Sequence, residues 1–281
     1  MTKFTKFLMF MILMLTGVCL SGVWGIAYTT AHPVRDDFAP DENPLKYGVP
    51  YQDITLKSID GLNIQAWYTP AQNGTVVIFV HGFRGHRAID RHCWLATAGF
   101  GVISIDLRAH GLSDGNVTSF GYHEGMDVHA ALNFALSQPG IDRVVGYGES
   151  LGGATLIGAA STRPEIAALV VDSTFSSLSA LLERQVPIYG VNWLFKGFWG
   201  QQMGVSVDAV NPSAWITKIA PRPILIIQAQ GDSLIPADSA TVLARAYGET
   251  AQVWLEAGLE HSLVYHTYPE VYKARVIEFL R

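Results

Sequence analysis

The chain has 281 residues, of which 49% are hydrophobic and 15% are charged, and its formal net charge is −5 at neutral pH. This length allows one large core, and a mild negative charge without a Lys/Arg cluster argues against nucleic acid as a partner. The two cysteines, Cys19 and Cys93, lie in an apolar run and in a predicted helix, so the sequence indicates neither a disulfide nor a metal site.

The first predicted element is an apolar run from Phe7 to Tyr28 that holds no charged residue and follows Lys3 and Lys6. Its length of about 20 residues is typical of a membrane-spanning helix and exceeds the apolar core of a signal peptide. Residues 1–28 are therefore predicted to be a transmembrane anchor, with a cleaved signal as the alternative. The positive-inside rule then puts the rest of the chain outside the cytoplasm, either as a single-pass membrane protein or, after cleavage, as a secreted one.

Residues 29–50 are predicted to form a tether, because they combine four prolines and mixed charges with no hydrophobic periodicity. The folded domain is predicted over residues 51–281. It begins with a hairpin over residues 54–68, since two alternating runs flank the turn signal Asp60-Gly61.

Short apolar runs then alternate with helical patterns. The runs predicted to be strands are 75–80, 101–106, 144–146, 166–171, 223–227 and 252–255. Helical spacing follows the first three of them, and a last helix is predicted over residues 268–280. This alternation predicts an α/β fold, with a mostly parallel sheet that carries helices on both faces and starts from an antiparallel hairpin.

The alternation lapses between Thr174 and Pro221, which is longer than the usual loop of an α/β unit. The first part of this segment, residues 175–199, is rich in aromatic residues. Three interpretations stay open for it: a short helical cover over the active site, a patch that meets lipid, and ordinary core packing.

A nucleophile elbow is predicted around Ser150, because an apolar strand, a Gly-x-Ser-x-Gly turn and a helix of small residues follow one another. Such a turn brings strand and helix so close that Gly148 and Gly152 are the residues that fit. Ser150 is therefore the predicted nucleophile.

An acid and a base follow the serine in the order that this kind of site requires. Asp232 lies just past the carboxyl end of the 223–227 strand, where open α/β sheets place their chemistry. His261 follows the final strand and precedes the last helix, whereas most other histidines come before Ser150. Asp172, at the end of the 166–171 strand, is the competing acid.

Two backbone N–H groups are predicted to form an oxyanion hole. The elbow supplies the N–H of Leu151, and the loop after the 75–80 strand supplies a second one, most plausibly from Phe83. The side chain of Phe83 is expected to point into the acyl pocket or into the core.

These motifs together resemble those of the α/β-hydrolase superfamily, and within it the serine esterase and serine aminopeptidase-like branch. The resemblance covers residues 51–281 and rests on motifs that occur in order: His81-Gly82, the 106–113 stretch, the elbow, Asn211-Pro212, Arg222-Pro223, Gly231-Asp232 and His261. It implies an eight-stranded sheet, hydrolysis through an acyl-enzyme and no cofactor. Glu149 beside the nucleophile, and Ala109 where glycine is common, depart from the pattern.

The function expected from these features is a membrane-tethered or exported serine hydrolase that cleaves a carboxylic ester of a small-molecule acyl substrate. A Ser-His-Asp triad indicates acyl transfer but does not specify which group leaves, so a peptidase or a thioesterase is the nearest alternative. A catalytically silent binding protein on the same fold is an alternative of another class. The three filled triad positions argue against it. A transporter or receptor is disfavoured because only one segment can span a bilayer.

Overall fold

One sheet of eight strands organises the structure, a computed structural model that describes residues 2–35 and 42–281. The strands are β1 (Gln52–Lys57), β2 (Asn63–Thr69), β3 (Thr75–Val80), β4 (Gly101–Ile105), β5 (Arg143–Glu149), β6 (Ile166–Asp172), β7 (Ile224–Ala229) and β8 (Gln252–Glu256). In space they follow the order β1-β2-β4-β3-β5-β6-β7-β8. The β1–β2 and β2–β4 pairs are antiparallel and the others are parallel, so the predicted sheet and its opening hairpin are confirmed.

Helices cover both faces of this sheet. They are α1 (Lys3–Ala31), α2 (Ile89–Thr97), α3 (Gly125–Ser137), α4 (Leu151–Ala160), α5 (Leu178–Gln185), α6 (Tyr189–Met203), α7 (Pro212–Trp215), α8 (Ser239–Tyr247), α9 (Leu263–Thr267) and α10 (Pro269–Leu280). Side chains of α3, α4 and α8 pack on one face, and those of α2 and α10 pack on the other.

Strand β3 shows why a continuous apolar run was needed. Val76 and Ile78 pack into the layer on one face, whereas Val77 and Phe79 pack into the layer on the other, and all four are fully buried. Successive side chains of a strand point to opposite faces, so a strand covered on both sides must be apolar at every position.

The aromatic segment forms a short helical cover made of α5 and α6, which we call the cap. Phe195 and Trp199 of α6 are buried, in the same apolar cluster as the sheet. Tyr189 and Trp193, at the start of α6, are instead 89% and 69% exposed. The cap therefore combines the first and third interpretations from the sequence, and it also carries an exposed aromatic surface.

The N-terminal apolar run is a single helix that extends beyond the predicted Tyr28 to Ala31. It is long and apolar enough to cross a membrane, and its most apolar stretch of 18 residues has no buried side chain. Its last turns behave differently, because Ala27 and Ala31 are fully buried against the domain and the helix contacts α6.

The segment predicted as a tether, 29–50, is more ordered than the sequence indicated. Its first three residues complete α1, and residues Pro44–Tyr47 form a 3-10 helix. Proline suits the first position of a helix, because its fixed backbone angle is helical and no N–H is needed there. The preceding Asn43 caps this turn through its side chain. Residues 36–41 of the predicted tether, with Pro40, lie outside the described residues.

Candidate active site

Ser150 occupies a strained turn between β5 and α4. Its backbone has φ 51° and ψ −113°, a left-handed conformation that residues other than glycine rarely adopt. Its N–H donates to the carbonyl of Asp172 at 2.7 Å, and its own carbonyl accepts from the N–H of Ala154 at 3.2 Å, which starts the helix. The turn is therefore fixed from both sides.

Gly148 and Gly152 are required by close approaches of the backbone. A Cβ on Gly148 would lie 2.5 Å from the carbonyl carbon of Gly152, and a Cβ on Gly152 would lie 2.1 Å from the carbonyl oxygen of Val80. These are backbone atoms that no side-chain rotation can move. The flanking glycines predicted from the sequence thus let β3, β5 and α4 meet at the serine.

The structure brings Ser150, His261 and Asp232 together in one hydrogen-bonded line. His261 Nδ1 lies 2.6 Å from Asp232 Oδ2, and His261 Nε2 lies 3.1 Å from Ser150 Oγ. Both bonds are satisfied when Nδ1–H donates to the carboxylate and Nε2 accepts from the hydroxyl. In that tautomer the imidazole is placed to take the proton of Ser150.

The carboxylate of Asp232 is fully buried and held by its own loop, residues 230–236, which we call the β7 loop. Its second oxygen, Oδ1, accepts the N–H groups of Leu234 and Ile235, both at 2.8 Å. From the cap, the guanidinium of Arg184 donates to the carbonyl of Asp232 at 3.0 Å. The two bonds from Leu234 and Ile235 satisfy the carboxylate oxygen that does not face His261, and the bond from Arg184 ties the cap to the backbone of the same loop.

The β3 loop, residues 81–85, lies beside Ser150. A Cβ on Gly82 would come within 3.4 Å of the Cβ of Ser150. His81 holds this loop, because its Nδ1–H donates to the carbonyl of Gly82 at 2.7 Å and its Nε2 accepts the N–H of Leu107 at 3.1 Å. Burial lowers the pKa of His81 well below its ordinary value, so the ring is neutral and suited to both bonds.

The two predicted oxyanion donors flank this arrangement. Leu151 is the first residue of α4, so its N–H has no partner within the helix. Phe83 lines the same cavity as Ser150 and His261, and its ring packs on Phe120 with centroids 4.9 Å apart. The side chain of Phe83 thus faces the cavity, and the role of the two N–H groups stays a prediction.

A cavity of about 320 Å³, which we call the elbow cavity, opens onto Ser150 and His261. This volume is at the lower end of the range for small-molecule sites. Its walls are mainly aliphatic and aromatic side chains from the β3 loop, the cap, the β7 loop and the end of α1. An apolar cavity that meets a polar line of Ser, His and Asp suits a substrate with an apolar part and one reactive polar bond.

A family model described as alpha/beta hydrolase fold matches residues 75–198 of the chain, which include the elbow and most of the cap. The chain therefore has the α/β-hydrolase fold. An uncharacterized relative, YfhR of Escherichia coli, is 24% identical over 242 residues, covering 82% of this chain and 80% of its own length. The α/β-hydrolase domain-containing protein WAV2 of Arabidopsis thaliana is 27% identical over 208 residues, covering 69% of this chain and 65% of WAV2.

Solved structures of esterases share this fold. An esterase of Pyrococcus furiosus superposes with a TM-score of 0.73 at 22% identity, covering 88% of this chain and 98% of that one. Est1E of Butyrivibrio proteoclasticus, solved with ferulic acid bound, gives a TM-score of 0.63 at 19% identity, covering 81% of this chain and 98% of that one. At these identities the likeness extends to the fold.

The competing acid, Asp172, points into a different network of the α/β-hydrolase core. Its Oδ2 accepts from the hydroxyl of Tyr272 at 2.7 Å, and its Oδ1 accepts from the hydroxyl of Ser173 at 2.8 Å. Burial, followed by the charge of Glu149, raises the pKa of Asp172 to about 6. Of the two candidate acids, Asp232 is the one that contacts the histidine.

The sequence analysis did not identify the network behind the elbow. Glu149 Oε1 accepts from Arg91 Nε at 2.7 Å and lies 2.6 Å from Arg91 Nη2, and it also accepts from the hydroxyl of Tyr147 at 3.3 Å. The hydroxyls of Tyr147 and Tyr272 lie 3.0 Å apart, which connects this ion pair to Asp172. Glu149 was the available signal, since a carboxylate beside the nucleophile departs from the family pattern.

Proposed function

We propose that this α/β-hydrolase is a serine hydrolase that cleaves carboxylic esters. Ser150 is the nucleophile, His261 is the general base and acid, and Asp232 orients the histidine. The observation that carries the proposal is the line of two hydrogen bonds, 2.6 and 3.1 Å long, that joins these side chains at the elbow cavity. A base within hydrogen-bond reach of a nucleophile, oriented by a third group, is the geometric signature of covalent acyl transfer.

In the first half of the reaction, Ser150 Oγ attacks the carbonyl carbon of the ester while its proton passes to His261 Nε2. The carbonyl oxygen becomes an oxyanion. When this intermediate collapses, the bond to the alkoxide oxygen breaks and His261 gives its proton to that oxygen. The alcohol leaves and the acyl group stays on Ser150 as an ester.

In the second half, His261 takes a proton from water and the water oxygen attacks the acyl carbon. The bond to Ser150 Oγ breaks, and His261 returns the proton to the serine. The products are a carboxylic acid and the free enzyme. In both halves the N–H groups of Leu151 and Phe83 are the proposed oxyanion donors, and one such donor typically contributes on the order of 10²- to 10³-fold to the rate.

The lining of the elbow cavity favours an apolar acyl group over a peptide. Within residues 2–35 and 42–281, no Asp, Glu, Lys or Arg side chain lines it. An aminopeptidase must bind the positively charged amino group of its substrate near the scissile bond, and burying a charge without a partner is costly. That structural neighbours of this fold are named esterases agrees with the proposal.

We further propose that α1 remains attached and anchors the protein in a membrane. Its length and its unburied apolar surface support this reading. Lys3 and Lys6 precede the apolar run, which supports a catalytic domain outside the cytoplasm.

Labelling with a fluorophosphonate probe tests the catalytic proposal, because the probe reacts only with an activated serine. The full chain in detergent should be labelled and should hydrolyse p-nitrophenyl esters, and Ser150→Ala should do neither. Ser161→Ala is the matched control, since Ser161 lies at the other end of α4 and its hydroxyl donates to the carbonyl of Gly158, away from the elbow cavity. A folded wild-type chain without labelling would make it a silent binding protein, and turnover of peptidyl amides alone would make it a peptidase.

A further inference from the structure

The elbow cavity has a wall that comes from outside the α/β-hydrolase domain. Ile26 and Thr30 of α1 line it together with residues of the cap, such as Leu182 and Trp199. Ile26 and Thr30 are one helical turn apart, so they lie on the same face of α1. The side chain of Ile26 is exposed as well as lining the cavity, which puts it at the rim.

The end of α1 is fixed to the domain rather than loosely attached. Ala27 and Ala31 are fully buried in the main apolar cluster, where their small side chains let the helix approach closely. The carbonyl of Ala31 accepts the N–H of Thr118 at 2.9 Å. Just beyond the helix, the guanidinium of Arg35 donates to the carbonyls of Gly111 and Gly115 at 3.0 and 2.6 Å. The cavity wall is thus held by both packing and hydrogen bonds.

The length of α1 puts this wall at the membrane surface. The helix has 29 residues, whereas about 20 helical residues cross the hydrocarbon core of a bilayer. The difference of about nine residues corresponds to the last turns, which are the turns docked on the domain. Trp24 and Tyr28 stack on each other with centroids 5.3 Å apart and are both exposed there. Such aromatic residues are enriched where a helix leaves the bilayer.

The cap contributes a second apolar surface. Helix α6 contacts α1, and its first residues, together with the residue before it, expose the side chains of Ile188, Tyr189 and Trp193. Exposed aromatic and aliphatic side chains next to a membrane helix suit the interfacial layer of a bilayer.

We propose that the last two turns of α1 are part of the acyl-binding pocket, so that the enzyme takes the long aliphatic chain of a membrane-resident ester directly at the bilayer surface. The proposal rests on the proposed function, because it concerns the acyl group of that reaction. Ile26 and Thr30 are specificity residues in it. The acyl chain passes from lipid to the cavity along α1 without crossing water, which would be costly for each methylene group.

Bulk added to the wall of the cavity should shorten the acyl chain that the enzyme accepts. The test compares Thr30→Trp with Thr29→Trp in the full chain, reconstituted in lipid nanodiscs, on p-nitrophenyl butyrate and p-nitrophenyl palmitate. Thr29 is the matched control. The hydroxyls of Thr29 and Thr30 both donate to the carbonyl of Ile26, at 3.1 and 2.8 Å, but Thr29 is exposed and does not line the cavity.

We expect the ratio of the long-chain to the short-chain kcat/KM to fall at least tenfold in Thr30→Trp and to change less than twofold in Thr29→Trp. Loss of folded protein lowers both rates on the same sample, so it cancels in the ratio. An equal effect of the two variants, or no effect of either, overturns the proposal.

A second variant decides the question if Thr30→Trp does not fold. Ile26→Ala removes apolar contact from the wall, so KM for the palmitate ester should rise several-fold more than KM for the butyrate ester. Equal changes in the two KM values would contradict the proposal. A mature chain that begins after Thr30, read by mass spectrometry, would also overturn it, because the wall would be absent.

Failure of the underlying function gives a different result. Wild-type protein that hydrolyses neither ester and does not react with the fluorophosphonate probe removes the catalytic proposal itself. If the wild-type protein hydrolyses esters through Ser150 but its chain-length preference is unchanged in the Thr30 and Ile26 variants, only the proposed role of α1 is wrong.

Discussion

The carboxylate of Asp172 accepts a hydrogen bond from the hydroxyl of Tyr272 at 2.7 Å, although Asp172 ends the strand next to the one that leads into Ser150. Its neighbour Ser173 extends this network, since the Ser173 hydroxyl accepts the N–H of Ser262, the residue after His261, at 3.2 Å. Asp172 therefore supports the histidine's loop from behind, whereas Asp232 contacts the ring itself.

This arrangement predicts different effects for the two aspartates. Asp232→Asn should lower kcat for an ester by about 10³- to 10⁴-fold, because the amide favours the wrong tautomer of His261. The change is measured on p-nitrophenyl butyrate with protein that is shown to be folded by circular dichroism. Asp172→Asn is the control and should lower kcat by less than about tenfold, since it does not contact the ring. The reverse order of severity would show that the acid has been misassigned.

The nucleophile and base are expected to act as one unit. Ser150→Ala and His261→Ala should each lower kcat by on the order of 10⁴- to 10⁶-fold, because either change stops the same proton transfer. The kcat of the double variant should then lie within about threefold of the kcat of the slower single variant. A double variant whose losses multiply would mean that the two side chains work independently, contrary to the proposed mechanism.

The elbow glycines should not tolerate a methyl group. Gly152→Ala puts a Cβ 2.1 Å from the Val80 carbonyl oxygen, so the backbone must shift, and we expect a loss of at least about 2 kcal/mol in the free energy of unfolding together with loss of activity. Denaturant titration of the detergent-solubilised chain measures the loss. Gly197→Ala is the control, because in the described part of the chain its added Cβ meets no heavy atom within 4 Å apart from its own helix, and it should stabilise by up to about 1 kcal/mol. Equal effects at the two sites would show that the elbow is not closely packed.

The raised pKa of Asp172 predicts a pH-dependent stability. Burial raises this pKa to about 6 in the folded protein, so the unfolded chain loses the proton first as the pH rises above about 4. Between about pH 4 and pH 6 the free energy of unfolding therefore falls because of Asp172, and this loss of stability remains at higher pH. Asp172→Asn removes that cost.

The unfolding free energy of Asp172→Asn relative to wild type should therefore increase by on the order of 2 kcal/mol between pH 4 and pH 7. Chemical denaturation at a series of pH values measures it. The same comparison for Asp238→Asn, an exposed residue before α8, should show no such increase. A relative stability of Asp172→Asn that is flat or falls with pH would contradict the raised pKa.

The anchoring proposal predicts a defined topology. Intact spheroplasts of expressing cells, treated with external protease, should lose the catalytic domain, because Lys3 and Lys6 hold the N-terminus inside. The intact chain should sediment with membranes and resist extraction by alkaline carbonate. A detergent-lysed sample shows whether the protease can cut the domain at all. A domain protected until lysis has the opposite topology, and a soluble chain with a new N-terminus near Tyr28 or His32 was a cleaved, exported enzyme.

Local patterns in the sequence were sufficient for the strands and for the elbow. The run predicted over residues 75–80 has the same bounds as β3, because a strand covered on both faces must be apolar along its whole length. Gly148 and Gly152 identified the elbow because the tight turn leaves space for no side chain. Helix α8 was missed, although Ala240, Leu243 and Tyr247 recur on one buried face at helical spacing.

Contacts between distant parts of the chain were decided by the tertiary structure alone. Strand β4 inserts between β2 and β3, which no local pattern encodes. His261 lies in the connection between β8 and α9, and the choice between Asp172 and Asp232 depended on which of the two carboxylates that connection brings the histidine to. An apolar run such as α1 has the same composition whether lipid or protein covers it, so the sequence predicted a membrane helix but not that Ala27 and Ala31 would be buried against the domain. Hydrophobic periodicity indicates which residues are buried from water. Which lipid or protein surface buries them depends on packing across the whole fold.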